Sequence, residues 1–485
     1  MRALLTSPYR KWILLGLAVQ VVAAWFSVGY HHPDEHFQIL EFCNYKLGFS
    51  PASDLPWEYA AKCRSAVMPF LVYLLSKGFL LLHVFDPFVV AFTLRLLMGI
   101  ATWAISCQLI SIFLPEFATQ KGKHIYVVCS MLLWYVPYIG VRFSSENFAG
   151  LLFFASIIML LRSGNVSLKK KAPVLLLIGL LLGIAVFVRL QMAFAVIGLG
   201  VWLIFIKKYT WREILMMVPG AAIAVALCIL ADYWMYGVIT LTPLNYYTVN
   251  IVQNVAANWG VFPWWYYVWL FLQSAVIPIS IALLLLFFTG VRKRPLHLFS
   301  LVCILFLIGH SLVGHKEMRF LFPVNLAFIF LVCIGLDTLI SRYGPRPLII
   351  NTFKFLAVIN ICLLIFKIFT PAQEAFKYYG YVYNFSKHND TKLIALKESP
   401  YHLNGVEVNF FKPKSLQIHL LQNTDSIIPL LEQDKKHSLF FSSALLPQPT
   451  NPLQNVYCIF PTAILKYNIN NWQQRSNIWA IYKAM

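Results

Sequence analysis

A short polar run, His31-His32-Pro33-Asp34-Glu35-His36, follows directly on the apolar stretch Trp12 to Gly29. Two carboxylates flanked by histidines at a membrane surface are costly to place there without a function. Proline fits the first turn of a helix. The sequence therefore predicts a helix opening at Pro33, with His32 at the cap and Asp34 and Glu35 in the first turn. Carboxylates there face the positive end of the helix dipole and stay ionised. An ionised carboxylate suits a general base that takes a proton from a hydroxyl nucleophile; the alternative is that the pair only caps a loop helix. His32 and His36 are also four apart, a spacing seen in metal sites, but no HExxH pattern is present.

A second polar run, His315-Lys316-Glu317-Met318-Arg319-Phe320, lies far downstream between two other apolar stretches. His315, Lys316 and Arg319 together could hold an anion, arginine doing so through two parallel hydrogen bonds. Equally, Glu317 could satisfy Lys316 or Arg319 locally. Arg64, Arg142, Glu146, Arg189 and Gln191 fall near the ends of apolar stretches. There they either snorkel to the interface or line a cleft with the two polar runs. Trp259, Trp264, Trp265, Tyr266 and Tyr267 read as an aromatic belt at the membrane surface, or as a surface for stacking against a sugar.

These groups need a scaffold, and the composition says which kind. The chain of 485 residues is 59% hydrophobic and only 12% charged, against roughly 25% charged in soluble domains. Apolar runs of bilayer-crossing length recur at 12–29, 66–84, 88–108, 124–141, 147–162, 173–190, 191–207, 213–231, 265–290, 296–313, 318–340 and 349–370. The expected fold class is an all-α polytopic membrane protein. Arg2, Arg10 and Lys11 precede the first run as in a signal sequence, but no small-residue cleavage site follows, so an uncleaved first span is expected.

The formal charge of +20 does not point to nucleic acid. The cations concentrate in short loops: Lys121/Lys123, Arg162 with Lys169-Lys170-Lys171, Lys207/Lys208/Arg212, Arg292-Lys293-Arg294 and Arg342/Arg346. Such loops mark the cytoplasmic face. That assignment puts the His32-Pro33-Asp34-Glu35 loop, 142–146, Arg189 and Gln191, 232–264, 315–319 and everything after about 371 on the outer face. It fails once: between 66 and 108 two runs stand where one crossing is needed, and Lys77 and Arg95 interrupt them. About 11 crossings are therefore expected. Residues 1–370 read as a transmembrane domain with large outer loops 30–65 and 232–264. Residues 371–485 read as a small extracytoplasmic α/β domain, with strands near Leu393–Leu396 and Leu439–Phe441 and a helix from Ile427 to Glu432. Cys43 and Cys63 share one outer loop and leave a disulfide open. Asn384 and Asn389 sit in Asn-x-Ser/Thr sequons, used only in a secretory pathway.

The polar segments together resemble a known family. His32-Pro33-Asp34-Glu35 with Phe37-Gln38 and Glu41 is similar to the first-loop signature of family twenty-two of the C-type glycosyltransferases. Trp57-Glu58-Tyr59 with Arg64-Ser65 and Pro69 resembles its Trp-Glu…Arg-Ser…Pro segment, and Arg142 with Ser144-Ser145-Glu146-Asn147 its next polar loop. Asp232-Tyr233-Trp234 with Tyr236-Gly237 and Thr242-Pro243-Leu244-Asn245 resembles the second large loop, and His315-Lys316-Glu317-Met318-Arg319-Phe320 its His-Lys-Glu-x-Arg-Phe signature. Within the family, the branch adding the third mannose of GPI anchors looks nearest.

The resemblance implies a C-type glycosyltransferase bundle and an inverting α-mannosyltransferase. The donor would be mannose on a polyprenyl phosphate such as dolichyl phosphate, and the acceptor a lipid-linked glycan such as a GPI precursor. Asp34 would be the base and Glu35 its helper. His315, Lys316, Arg319, Arg64 and Arg189 would face the donor phosphate, with His32, Trp57, Glu58, Arg142, Glu146, Asp232 and Glu317 in support. The site would face the lumen of the endoplasmic reticulum, or the periplasm in a bacterial homologue, where the polyprenyl carrier and sugar would differ. A transporter of lipid-linked sugars is the reading from another class. The first-loop carboxylates suit a divalent metal without specifying one, so no cofactor is assigned and metal assistance stays open.

Overall fold

The computed structural model describes residues 2–164, 167–274, 277–344, 346–387, 390–403, 405–422, 427–434, 436–443 and 453–484. Its helices of ten residues or more, in chain order, are α1 (Arg10–Phe26), α2 (Val67–Leu81), α3 (Pro87–Phe113), α4 (Gln120–Leu132), α5 (Ser145–Arg162), α6 (Leu168–Val188), α7 (Met192–Val201), α8 (Val218–Tyr236), α9 (Ile277–Lys293), α10 (Leu298–Leu312), α11 (Asn325–Tyr343), α12 (Pro347–Phe369) and α13 (Ala375–Ser386). Six helical stretches among the described residues are long and apolar enough to cross a bilayer: Pro87–Glu116, Ser145–Arg162, Leu168–Val188, Trp211–Tyr236, Met318–Tyr343 and Asn351–Phe369. The chain is an integral membrane protein.

The helices locate where the sequence pattern misleads. Of the two runs between 66 and 108, α3 has 27 residues, about 40 Å at 1.5 Å per residue. α2 has 15, about 22 Å, short of a hydrocarbon core of about 30 Å. The expected span 124–141 is not one helix. It breaks after Leu132 and resumes as Tyr135–Gly140. Asn360 repairs the break: its side-chain oxygen accepts from the Trp134 N–H at 2.9 Å and its amide donates to the Leu132 carbonyl at 2.9 Å. In lipid such a gap is tolerated only when the freed backbone groups are satisfied. The expected span 265–290 is likewise two helices, Tyr266–Gln273 and α9, and its residues 275 and 276 lie outside the described ones.

The chain packs as two compact units. The first comprises Met1–Ser27, Trp57–Leu71 and Phe92–Thr370. Small residues let its helices approach closely. A Cβ on Gly290 of α9 would meet the Leu331 carbonyl oxygen at 2.0 Å, and one on Gly335 of α11 would meet the Leu286 oxygen at 2.0 Å. Gly179 and Gly220 do the same for α6 and α8. With no hydrophobic drive between helices in lipid, such contacts carry the packing. Residues of the basic loops bond to their neighbours: Arg162 to Ser111 at 3.2 Å, Lys171 to Glu213 at 2.7 Å and Arg294 to Glu116 at 3.0 Å.

The second unit comprises Val28–Pro56, Val72–Ala91 and Pro371–Met485. It holds α13 and a five-stranded sheet of β1 (Thr391–Leu396), β2 (Leu416–Leu421), β3 (Ser438–Ser442), β4 (Leu453–Cys458) and β5 (Ala480–Ala484). The order is β2-β1-β3-β5-β4, with β1 parallel to β2 and β3, and β5 antiparallel to β3 and β4. The helix Ile427–Gln433 covers Ile394, Phe440, Leu453 and Tyr482 through Ile427 and Leu431. Asn384 is exposed on α13, while Asn389 lies outside the described residues.

Candidate active site

The second unit contains the first polar loop. Gly29 turns the chain into it with φ +86°, and a Cβ there would meet the Gln373 side chain at 2.7 Å. The following helix is a single turn, Asp34–Phe37, with Pro33 as its N-cap residue. Asp34 and Glu35 occupy that turn as the sequence predicts. A helix this short has little dipole, however, and histidines stand beside both carboxylates. His32 Nδ1 stands 3.3 Å from the Asp34 carboxylate and accepts from the Asp34 N–H at 3.3 Å. The His31 N–H donates to Glu35 at 3.3 Å. Asp34 keeps 19% of its side-chain surface exposed, enough to meet a hydroxyl.

His36 does something else. Its Nε2 lies 2.7 Å from Glu41 Oε1 with both side chains 1% exposed. The same oxygen accepts from the Asn409 and Phe410 N–H groups at 2.8 and 3.0 Å. The loop helix Leu40–Lys46 is thereby tied to the C-terminal region, with the His36 ring stacked on Phe411 at 5.6 Å. The disulfide left open by the sequence does not form. Cys43 and Cys63 are free thiols, and burial pushes the Cys43 thiol up to about 12.

The first unit gathers the other polar residues around Glu146, in the first turn of α5. Its Oε1 lies 3.0 Å from Arg189 Nη2 and 3.1 Å from Arg319 Nη1. Arg319 also donates through Nε and Nη2 to the two oxygens of Glu317, at 2.5 and 3.2 Å. Glu317 Oε1 in turn meets His315 Nε2 at 2.8 Å. Five side chains thus form one chain of opposite charges, Arg189–Glu146–Arg319–Glu317–His315. The hydrogen bond to Glu317 raises the His315 pKa above the usual histidine value. Lys316 stands apart. Its ammonium donates to the Phe262 and Val313 carbonyls at 3.1 and 2.5 Å, so it pins the 260–262 loop rather than joining the cationic group.

The remaining expected residues hold the scaffold. Arg142, 1% exposed, donates to the Ser27 carbonyl and hydroxyl at 2.6 and 2.5 Å. Arg95 donates to the Ala24 carbonyl at 2.8 Å. Together these arginines satisfy carbonyls at the end of α1, which a helix C-terminus leaves unpaired. In the sequence Arg95 is only a charge inside an apolar run. Its partner, a backbone carbonyl, has no sequence signal at all. Asp232 lies in the last turns of α8, not in the loop, and is fully buried. It accepts from the Ala66 N–H and from Thr242 Oγ1, both at 2.7 Å. Arg64 faces Glu58 at 3.7 Å and lies over the Tyr246 ring at 5.3 Å. Trp57 is 41% exposed.

Paired first-loop carboxylates thus precede a buried arginine–glutamate network in a helical membrane protein. The sequence matches the profile of the Alg9-like mannosyltransferase family over residues 11–405, and the chain belongs to that family. It is 24% identical over 345 residues to GPI mannosyltransferase 3 of Candida albicans, covering 70% of this chain and 64% of that protein. It is 24% identical over 334 residues to GPI alpha-1,2-mannosyltransferase 3 of Mus musculus, covering 66% of this chain and 57% of that one. The chain spans less than two thirds of the length of either relative. Its fold is similar to that of ArnT from Cupriavidus metallidurans, crystallised with undecaprenyl phosphate, at a TM-score of 0.57 over 98% of both chains and 10% identity.

Proposed function

We propose that this chain is an inverting α-mannosyltransferase that moves mannose from a polyprenyl phosphate to a hydroxyl of a lipid-linked glycan, a GPI precursor being the favoured acceptor. The observation that carries the reading is the placement of Asp34, partly exposed in a one-turn helix and braced by His32 at 3.3 Å. Family membership and the likeness to two GPI mannosyltransferases support mannose as the sugar and a GPI precursor as the acceptor.

In the proposed step, Asp34 accepts the proton of the acceptor hydroxyl as its oxygen attacks the anomeric carbon of a β-linked donor. The bond from that carbon to the phosphate oxygen breaks, and its electron pair leaves on the polyprenyl phosphate. One displacement inverts the centre and yields an α-mannoside. Glu35 orients the loop through the His31 N–H. His315 and Arg319 supply positive charge where the phosphate gains negative charge. The buried Glu146 and Glu317 hold Arg319 in fixed geometry, and Glu317 also meets His315; Arg189 and Arg64 add positive charge toward the phosphate, at the lumenal or periplasmic face. Lys316 acts by fixing the 260–262 loop.

The test is transfer of radiolabelled mannose from a polyprenyl-phosphate-mannose donor to GPI-precursor and oligomannose lipids, with wild type and Asp34→Asn. Transfer should fall by about 100-fold or more in the variant, the usual contribution of a positioned base, while the variant elutes and melts as wild type does. Equal transfer by both proteins removes Asp34 as the base. Absence of transfer by folded wild type to any acceptor removes the mannosyltransferase reading.

A further inference from the structure

The helical stretch Met318–Tyr343 begins beside Arg319, and its other end borders a cavity of about 750 Å³. Arg292, Lys293 and Arg294 at the end of α9 and Arg342 at the end of α11 line it, together with Glu116 and Asp337. The two carboxylates are already engaged. Glu116 pairs with Arg294 at 3.0 Å. Asp337 accepts from the Ala118 N–H at 2.8 Å and from the Thr119 N–H and hydroxyl at 3.2 and 2.5 Å, which secures the start of α4. Arg292, Lys293 and Arg342 are exposed.

Four cations against two carboxylates leave two positive charges. The C-terminal ends of α9 and α11 contribute about half a negative charge each, which cancels about one. The cavity therefore keeps net positive charge even after the dipoles are counted. Its volume lies in the range that holds small ligands rather than single ions. Helices of membrane length end in it, so it sits at headgroup depth on the face that bears the basic loops. Clusters of this kind beside membrane helices attract anionic lipids.

We infer that this cavity binds a phosphate ester, supplied by the headgroup of an anionic phospholipid in the leaflet facing the basic loops. The phosphate sits among Arg292, Lys293 and Arg342, and the acyl chains follow the exposed apolar side chains of α9, Ile281, Leu285 and Phe288. Bound there, the lipid joins the C-terminal turns of two helices that already meet through Gly290 and Gly335.

The test measures equilibrium binding of fluorescent phosphatidic acid to the full chain in neutral detergent, with phosphatidylcholine as the uncharged control and inorganic phosphate as competitor. Wild type should bind phosphatidic acid and not phosphatidylcholine. R292A and R342A should each weaken binding about fivefold, and the double variant about 25-fold. Inorganic phosphate that competes only at far higher concentration supports the lipid as source; competition at equal concentration supports the same phosphate site filled from solution. Unchanged binding by variants that elute as wild type does, or absence of binding by wild type, overturns the inference.

Discussion

Replacing Glu146 by alanine should destabilise this protein more than replacing Arg189 by methionine, although the two side chains face each other at 3.0 Å. Both are nearly inaccessible, with 3% and 5% of their side-chain surface exposed. The asymmetry comes from what each leaves behind. In R189M, Glu146 keeps Arg319 at 3.1 Å, so the loss is one charge-assisted contact, about 1.5–3 kcal/mol, partly offset by apolar packing of the methionine. In E146A, Arg319 keeps both bonds to Glu317, but Arg189 becomes a buried cation without its carboxylate, which costs about 3–5 kcal/mol. Removing that stranded charge as well should restore stability, so the double variant should be more stable than E146A alone. The assay is denaturant unfolding of the four proteins in one detergent, read as a double-mutant cycle. If the two single effects add to within about 0.5 kcal/mol, or if R189M is the costlier change, the shared-carboxylate account is refuted.

His315 gives a pH signature. Its folded pKa is raised by Glu317, so its contribution is complete below the unfolded value of about 6.5 and is lost as pH rises through the higher folded value. The melting temperature of wild type should fall across that rise relative to H315Q, and parallel pH profiles would remove the pairing from the account. Glu41→Ala removes the acceptor of two backbone N–H groups and the neighbour of His36. It should cost about 1.5–3 kcal/mol and speed proteolysis near Asn409; unchanged digestion would count against the tie. Gly335→Val places a side chain where a Cβ alone meets the Leu286 oxygen at 2.0 Å. Unfolding in detergent should show a loss of at least about 1–3 kcal/mol, the usual cost of overpacking. Gly200→Ala, inside α7 where nothing lies within 4 Å, should not destabilise and should gain up to about 1 kcal/mol from helix propensity. Equal stability of the two variants would show that α9 and α11 do not meet as closely as described.

Much of the local chemistry is legible in the sequence. A helix begins at the first-loop proline, with Pro33 rather than His32 as the N-cap residue, and Asp34 and Glu35 occupy the first turn. Short apolar runs mark β1 and β3, which are buried on both faces, and the helix after Ile427 forms where expected. The apolar runs identify a membrane protein because bilayer thickness sets a length that sequence reports directly. Where the pattern misleads, local punctuation and a distant side chain act together: Pro137 inside the run 124–141 cannot donate to Leu133 in a continuous helix, and Asn360 satisfies the backbone groups freed there.

Partnerships are a different matter. His315, Glu317 and Arg319 are sequence neighbours, so their mutual contacts could be weighed from spacing alone. Glu146 joins Arg319 across 173 positions, Arg142 reaches Ser27 across 115, and Glu41 reaches Asn409 across 368. A buried charge must find a counter-charge or a backbone group, but many arrangements satisfy that demand. Sequence by itself determines which residues are charged, which runs are apolar and which turns must start or stop a helix, because these depend on a residue and its near neighbours. Which carboxylate neutralises which arginine, and that Lys316 pins a loop instead of joining the cations, is decided only when the helices pack and their geometry selects one arrangement.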